Sequence, residues 1–210
     1  RFIDLEYALP ALHTKSYTQE LIKRFEFNAF FDARKQNSSL AYDHDDFVEA
    51  FTLLAGMFDL SLRARERCLT RLGVVLTQTP NSHYLDPIVL SLLLVLRAKR
   101  SDLYSGLVGG SIAPQDLMAT LRQMPKDREL TEDWFLPTIE AYLILGDVVR
   151  TRKEATIKAL RDLYEKEPNT PQGMHASELL NKVDDFRSRG FSTKHVANKV
   201  DLAAKVGNDH

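Results

Sequence analysis

Apolar residues recur at intervals of three and four along most of this chain, which is the period of a helix with one buried face. Tyr17, Leu21, Ile22 and Phe25 mark such a face over residues 15–27. Residues 43–58 carry a second, with Asp43, Asp45 and Asp46 placed where acidic side chains complement a helix dipole. Residues 60–76 form a third, with Ser61 as a plausible N-cap. The longest apolar run, Ile88–Leu96, reads IVLSLLLVL and predicts a helix buried on all sides, with Pro87 in its first turn. Further helices are predicted over 103–108, 114–124, 134–145, 152–166, 175–187 and 193–206.

Between these lie breaks. Asn37, Ser38 and Ser39 mark a loop within the mixed stretch 28–42, Thr79-Pro80-Asn81-Ser82 is a turn, and 167–173 reads as a loop around Pro168 and Pro171. Residues 1–10, RFIDLEYALP, alternate roughly in twos and predict a short extended connector. The segment 125–131 is charged and lacks an apolar period, so it is the predicted boundary between two units. The expected architecture is therefore all-α: a multi-helix, bundle-like array in one or two subdomains, with an extended N-terminal connector. Its parts are a connector over 1–12, a lid-like helical subdomain over 13–125 and a distal helical subdomain over 126–210. The first bundle is expected around Phe47, Phe51, Leu54, Leu69, Leu72, Leu90, Leu93 and Leu94. The second is expected around Trp134, Leu143, Leu160, Leu163 and Leu180.

Composition narrows the partners. The 28 lysines and arginines are balanced by 29 acidic residues, for a net charge of −1, which does not suit a dedicated nucleic-acid binder. The basic tail 187–205 is offset by Asp184, Asp185 and Asp201. A single cysteine, Cys68, excludes an internal disulfide and fits a reducing compartment. No apolar run reaches the ~20 residues that a membrane helix needs. The chain opens at Arg1 rather than Met, from which we expect a piece of a longer protein.

The candidate chemistry is sparse. No GxxxxGK[ST] phosphate loop and no GxSxG nucleophile string is present. Gly106–Gly110 lacks the lysine of a phosphate loop and reads as a helix C-cap. YLILGD, 142–147, imitates an apolar strand with a magnesium-binding acid, but a helix ended by Gly146 explains it better. His44 in DHDD has no second ligand cluster, so those acids are expected to start a helix rather than hold a metal. Cys68 falls on the apolar side of its helix and is expected to be a structural residue.

One feature remains. Arg63, Arg67 and Arg71 stand at i, i+4 and i+8 and share a helix face. Such a stripe suits carboxylate or phosphate, because guanidinium always carries charge and bonds bidentately. The plainer reading is a solvated face paired with Glu66 and Asp59, of the kind that contributes little. Arg65 falls inside the apolar arc of Ala64, Cys68, Leu69, Leu72, Val75 and Leu76; it is expected to snorkel or to contact something beyond the chain.

RFIDLEYALP at 1–10, MFDLSLRARERCLTRLGVVL at 57–76 and YLDPIVLSLLLVLRAKRSDLYSGLVGG at 84–110 together resemble the carboxy-terminal half of the bacterial KAP family of P-loop NTPases. The similarity covers about the first half of the chain, and KHVANKVDLAAKV at 194–206 is a family-like ending. Two positions depart: Arg65 stands where the family phrase is apolar, and Ala64 where it is acidic. The resemblance implies a nucleotide-binding core, with Walker A and B segments, ahead of Arg1. ATP and Mg2+ would then belong to the parent protein, with none bound by this piece alone. It implies that Arg63, which matches the arginine of the family's LSLR phrase, is a lid arginine directed at the terminal phosphate, with Arg67 as the reserve and Arg71 in a salt bridge. It also implies a bacterial cytoplasmic ATPase, possible anti-phage defence, and contacts with its own core, identical subunits or a protein partner. The competing expectation is a non-enzymatic α-helical interaction module.

Overall fold

The computed structural model describes residues 15–124 and 134–206, with side chains to Ala203. The predicted connector 1–12 falls wholly outside them, as does the predicted boundary at 125–131. The described residues form an all-α array. Its first part is α1 Lys15–Arg24, α2 Asn28–Arg34, α3 Asp43–Met57, α4 Leu62–Thr77, α5 Pro87–Lys99, α6 Ser101–Gly109 and α7 Pro114–Gln123. Then follow α8 Phe135–Gly146, α9 Arg150–Lys166, α10 Pro171–Ser188 and α11 Thr193–Val206.

The centre is α5. Every residue from Pro87 to Leu96 is buried, as a uniformly apolar run demands. It packs most heavily on α3, whose Phe47 and Phe51 stack with centroids 5.5 Å apart. All eight side chains expected to build the first bundle are fully buried. Each such side chain removed from water stabilises the fold by about 1.5–3 kcal/mol. The amphipathic helices α1 and α4 close one side of this core, and α4 begins where its sequence says: the Ser61 hydroxyl accepts from the Ala64 amide at 3.3 Å.

Chain order does not separate the two halves. Helix α11 runs back over α4 and α5, burying Val196, Ala197, Val200 and Ala203. The Tyr104 hydroxyl of α6 donates to the Ala197 carbonyl at 3.2 Å and lies 3.0 Å from Asp201. One connected apolar cluster runs from Leu21 to Ala203. Of the side chains expected to form a distal core, Leu143 is buried in this cluster, and Trp134, Leu160 and Leu180 pack against it half-buried, while Leu163 is half-buried and lies outside it.

Several boundaries differ from the sequence reading. The mixed stretch 28–42 contains a short helix, α2, followed by turns. Helix α9 starts two residues earlier than expected. The predicted loop 167–173 is shorter, because α10 starts at Pro171 with Thr170 as N-cap accepting from the Gly173 amide at 3.1 Å. Proline lacks the amide hydrogen that a helix leaves unused in its first turn, so Pro171 opens the helix rather than breaking it. Gly173 is required there: a Cβ would lie 1.8 Å from the Glu167 carbonyl oxygen.

Candidate functional site

The N-cap at Ser61 fixes which way the α4 arginines point. Arg63 and Arg67 are exposed, and Arg71 is half-buried. Among the described residues none of the three forms an ion pair. Of the acids expected to neutralise them, Glu66 accepts from Arg24 at 3.0 Å, while among the described residues the Asp59 carboxylate forms no ion pair and its backbone carbonyl accepts from Lys99 at 3.1 Å. The salt bridge expected of Arg71 is therefore not found among the described residues. Arg71 faces inward toward Tyr104, beside Arg97, whose guanidinium lies 5.2 Å from the Tyr104 ring centroid.

Arg65 does not snorkel. It is completely buried, and its Nε donates to the Leu60 carbonyl at 3.1 Å. Burial lowers its pKa, while Tyr17, Asp59 and Cys68 act in the opposite direction. The apolar arc of α4 thus carries a buried cation in its first turn, reaching the carbonyl just ahead of the helix. Cys68 behaves as expected: it is wholly buried, its Sγ lies 3.5 Å from the Leu94 carbonyl, and burial pushes its thiol up to about 12. A thiol held protonated is no nucleophile.

Gly106–Gly110 and YLILGD lie at helix ends, and DHDD opens α3. Gly110 takes a left-handed φ of 79° as the C-cap of α6. YLILGD is the end of α8, and Asp147 beyond it is buried against Arg152, whose Nε donates to it at 2.5 Å. Arg152 also donates to the carbonyls of Gly110 and Ile112, tying the α8–α9 corner to the α6–α7 loop. His44 packs edge-on against Phe31 and pairs with neighbouring Asp45. Among the described residues no group of three or more His, Cys, Asp or Glu is arranged to hold a metal ion. No described helix is long and apolar enough to cross a membrane.

A second polar centre was not anticipated. Asp43 and Asp46, in the first turn of α3, meet Asp86, which precedes α5. They line a cavity of about 90 Å³ with Tyr42, Tyr142 and Arg189. The buried Arg34 guanidinium holds Asp43 in place: Nε and Nη2 donate to Asp43 at 2.8 and 2.5 Å, and Nη1 and Nη2 also donate to the carbonyls of Pro80, Asn81 and His83. Asp86 has a φ of 51°, a left-handed conformation that aspartate tolerates better than most residues. Tyr142 stacks on Phe186 at 3.8 Å between centroids, and its hydroxyl lies 3.5 Å from Asp86. The sequence signal for Asp86 was its place before proline, which disfavours the α conformation. Nothing in the string DHDD showed that its first and fourth residues face a carboxylate forty residues away.

No protein-family model matches this chain, and no curated protein and no solved structure matches it either.

Proposed function

We propose that this chain is the helical lid and effector region of a KAP-type P-loop ATPase, with Arg63 and Arg67 presented to a nucleotide held by a separate core. The observation that carries the reading is that these two arginines are exposed and, among the described residues, unpaired. They stand one turn apart at the start of a helix whose other face is buried in the central core. Charge left unneutralised on a rigid element is what a phosphate-sensing lid needs, since its donors are already positioned before the anion arrives. The all-helical array and the resemblance of the 57–76 and 84–110 phrases to that family support the same reading. ATP and Mg2+ would be bound by the core, and the chain's contribution would be to stabilise developing charge and report nucleotide state. A bacterial cytoplasmic setting, a role in anti-phage defence and assembly with identical subunits follow from the family resemblance.

The direct experiment compares ATP turnover by the parent protein with turnover by its nucleotide-binding core alone. Turnover that depends on the helical region supports the reading; a core equally active without it contradicts it.

A non-enzymatic interaction module is the second reading, favoured by the α9–α10 hairpin. Helix α9 buries only Ile157, while Tyr164 in its last turn and Met174 in the first turn of α10 are exposed. Exposed apolar side chains on a helical hairpin suit contact with another protein. Under this reading the parent protein would bind its partner without any effect of nucleotide.

A further inference from the structure

The cavity lined by Asp43, Asp46 and Asp86 lies where α3, the connection into α5, helix α8 and the α10–α11 corner meet. Its charges do not balance. The Arg34 guanidinium is fully committed to Asp43 and three carbonyls. Arg189, at the end of α10, pairs with Asp185 at 2.6 Å and lies 5.8 Å from the centroids of both Tyr84 and Phe186. Lys199 of α11 donates to Thr79 at 3.0 Å. Among the described residues Asp46 and Asp86 have no ion pair. Asp46 faces Asp43, Asp45 and Glu49 from its own helix, and Arg189 from α10. Asp86 faces Asp43 from α3, Tyr142 from α8, Arg189 from α10 and Lys199 from α11. Two half-buried carboxylates are thus held beside a third with no cation in direct contact.

We infer that this cavity is a proton-sensitive joint: with Asp46 and Asp86 neutral it holds α8 and the α10–α11 corner against α3, and with both ionised it loosens that contact. Like charges brought together in a partly desolvated space repel, and protonation of either removes the repulsion. Burial, then the negative charge of Asp43, raises both carboxyls from the ordinary aspartate value to about 6. The sign follows from linkage. A carboxyl whose pKa is higher in the folded state keeps a proton that the unfolded chain releases, so the fold is destabilised as pH rises through the folded value. The destabilisation is complete above about pH 6 and disappears as pH falls below about 4. Helices α8 and α10 feel it first, since Tyr142 and Arg189 reach into the cavity from them.

The test uses the whole chain and its Asp46→Asn, Asp86→Asn and doubly substituted variants. Thermal melting at about pH 7.5 and about pH 5 separates this joint from every other titrating group, because those cancel between variant and parent. The double variant should melt about 3 °C or more above the parent at the higher pH, and the gap should narrow at the lower pH, closing only as pH falls toward about 4. Amide exchange should show faster opening of α8 and α10 in the parent at the higher pH, with α1 unaffected. An offset that is equal at both pH values, or a variant less stable at the higher pH, overturns the inference. Carboxyl carbon NMR of the unsubstituted chain gives an independent answer should a variant fail to fold: two aspartates titrating near 6 support the joint, and all aspartates titrating below about 5 overturn it.

Discussion

Arg34 and Asp43 form a buried pair in which one carboxylate oxygen accepts from both Nε and Nη2 of the guanidinium, at 2.8 and 2.5 Å. The same guanidinium holds the carbonyls of Pro80, Asn81 and His83, so it joins the end of α2 and the start of α3 to the loop between α4 and α5. The loop carries backbone acceptors into the interior, and without Arg34 those acceptors would lose both partner and water.

Removing one member of this pair should cost more than removing the pair. Asp43→Ala leaves a buried guanidinium without its counter-charge, a loss of about 3–5 kcal/mol. Arg34→Met with Asp43→Leu should lose less than the sum of the single substitutions, because no charge is stranded. Denaturant unfolding of the two single variants and the double variant measures the coupling directly. Strict additivity would show that the contact seen between the two side chains contributes nothing.

Much of the architecture was legible because it rests on local pattern. IVLSLLLVL is apolar on every face and became the central helix α5, while Ser61, Pro87 and Gly110 marked helix ends by known local chemistry. The placement of Cys68 in the core followed from the wheel of α4 alone. What pattern could not show is pairing across the chain. Arg34 looked like one charge among many in a mixed stretch, and its partners lie nine to 49 residues further on. Asp86 is legible as an oddity before proline, but its meeting with Asp43 and Asp46 is a product of how α3 and α5 pack. Arg65 was recognisable as misplaced, yet the carbonyl that receives it is set by the turn ahead of α4. The arginine stripe was visible as a spacing, and only the fold showed that Glu66 is paired with Arg24.

The junction between α8 and α11 is tight enough to forbid a methyl group. A Cβ on Gly146 would sit 1.7 Å from Thr193 Oγ1 and 2.9 Å from Thr193 Cβ. Gly146→Ala should therefore destabilise the protein by about 1–3 kcal/mol, the usual cost of overpacking. Thr193→Ala in the same chain should recover part of that loss, since it removes the nearest atom, a buried hydroxyl with no hydrogen-bond partner among the described residues. Melting temperatures of the two variants and their combination provide the check. A Gly146→Ala protein as stable as the parent would show that α8 and α11 are not in contact there.

Cys68 supplies a probe of the core around α4 and α5. A wholly buried thiol raised to about 12 should resist alkylation at neutral pH in the folded protein and react fully once denatured. The rate of labelling in native buffer should follow the rate at which this region opens. Rapid labelling of folded protein would mean that the α4–α5 seam is open to solvent.

The pair Tyr142 and Phe186 fixes α10 on α8, with the two rings nearly parallel at 9°. Phe186→Ala should cost about 3–5 kcal/mol through lost burial and packing, and should speed amide exchange in α10 more than in α3. Uniform acceleration across both helices would indicate that they open as a single unit instead.

The central functional claim is that the α4 arginines face a nucleotide, and ATP turnover by the parent protein carrying Arg63→Ala measures it most directly. The substituted side chain is exposed and unpaired among the described residues, so melting temperature should stay within about 1 °C of the parent. Turnover should fall by about a hundredfold or more, as expected on removing a donor aimed at developing charge. A turnover equal to that of the parent, in protein of unchanged stability, would contradict the account.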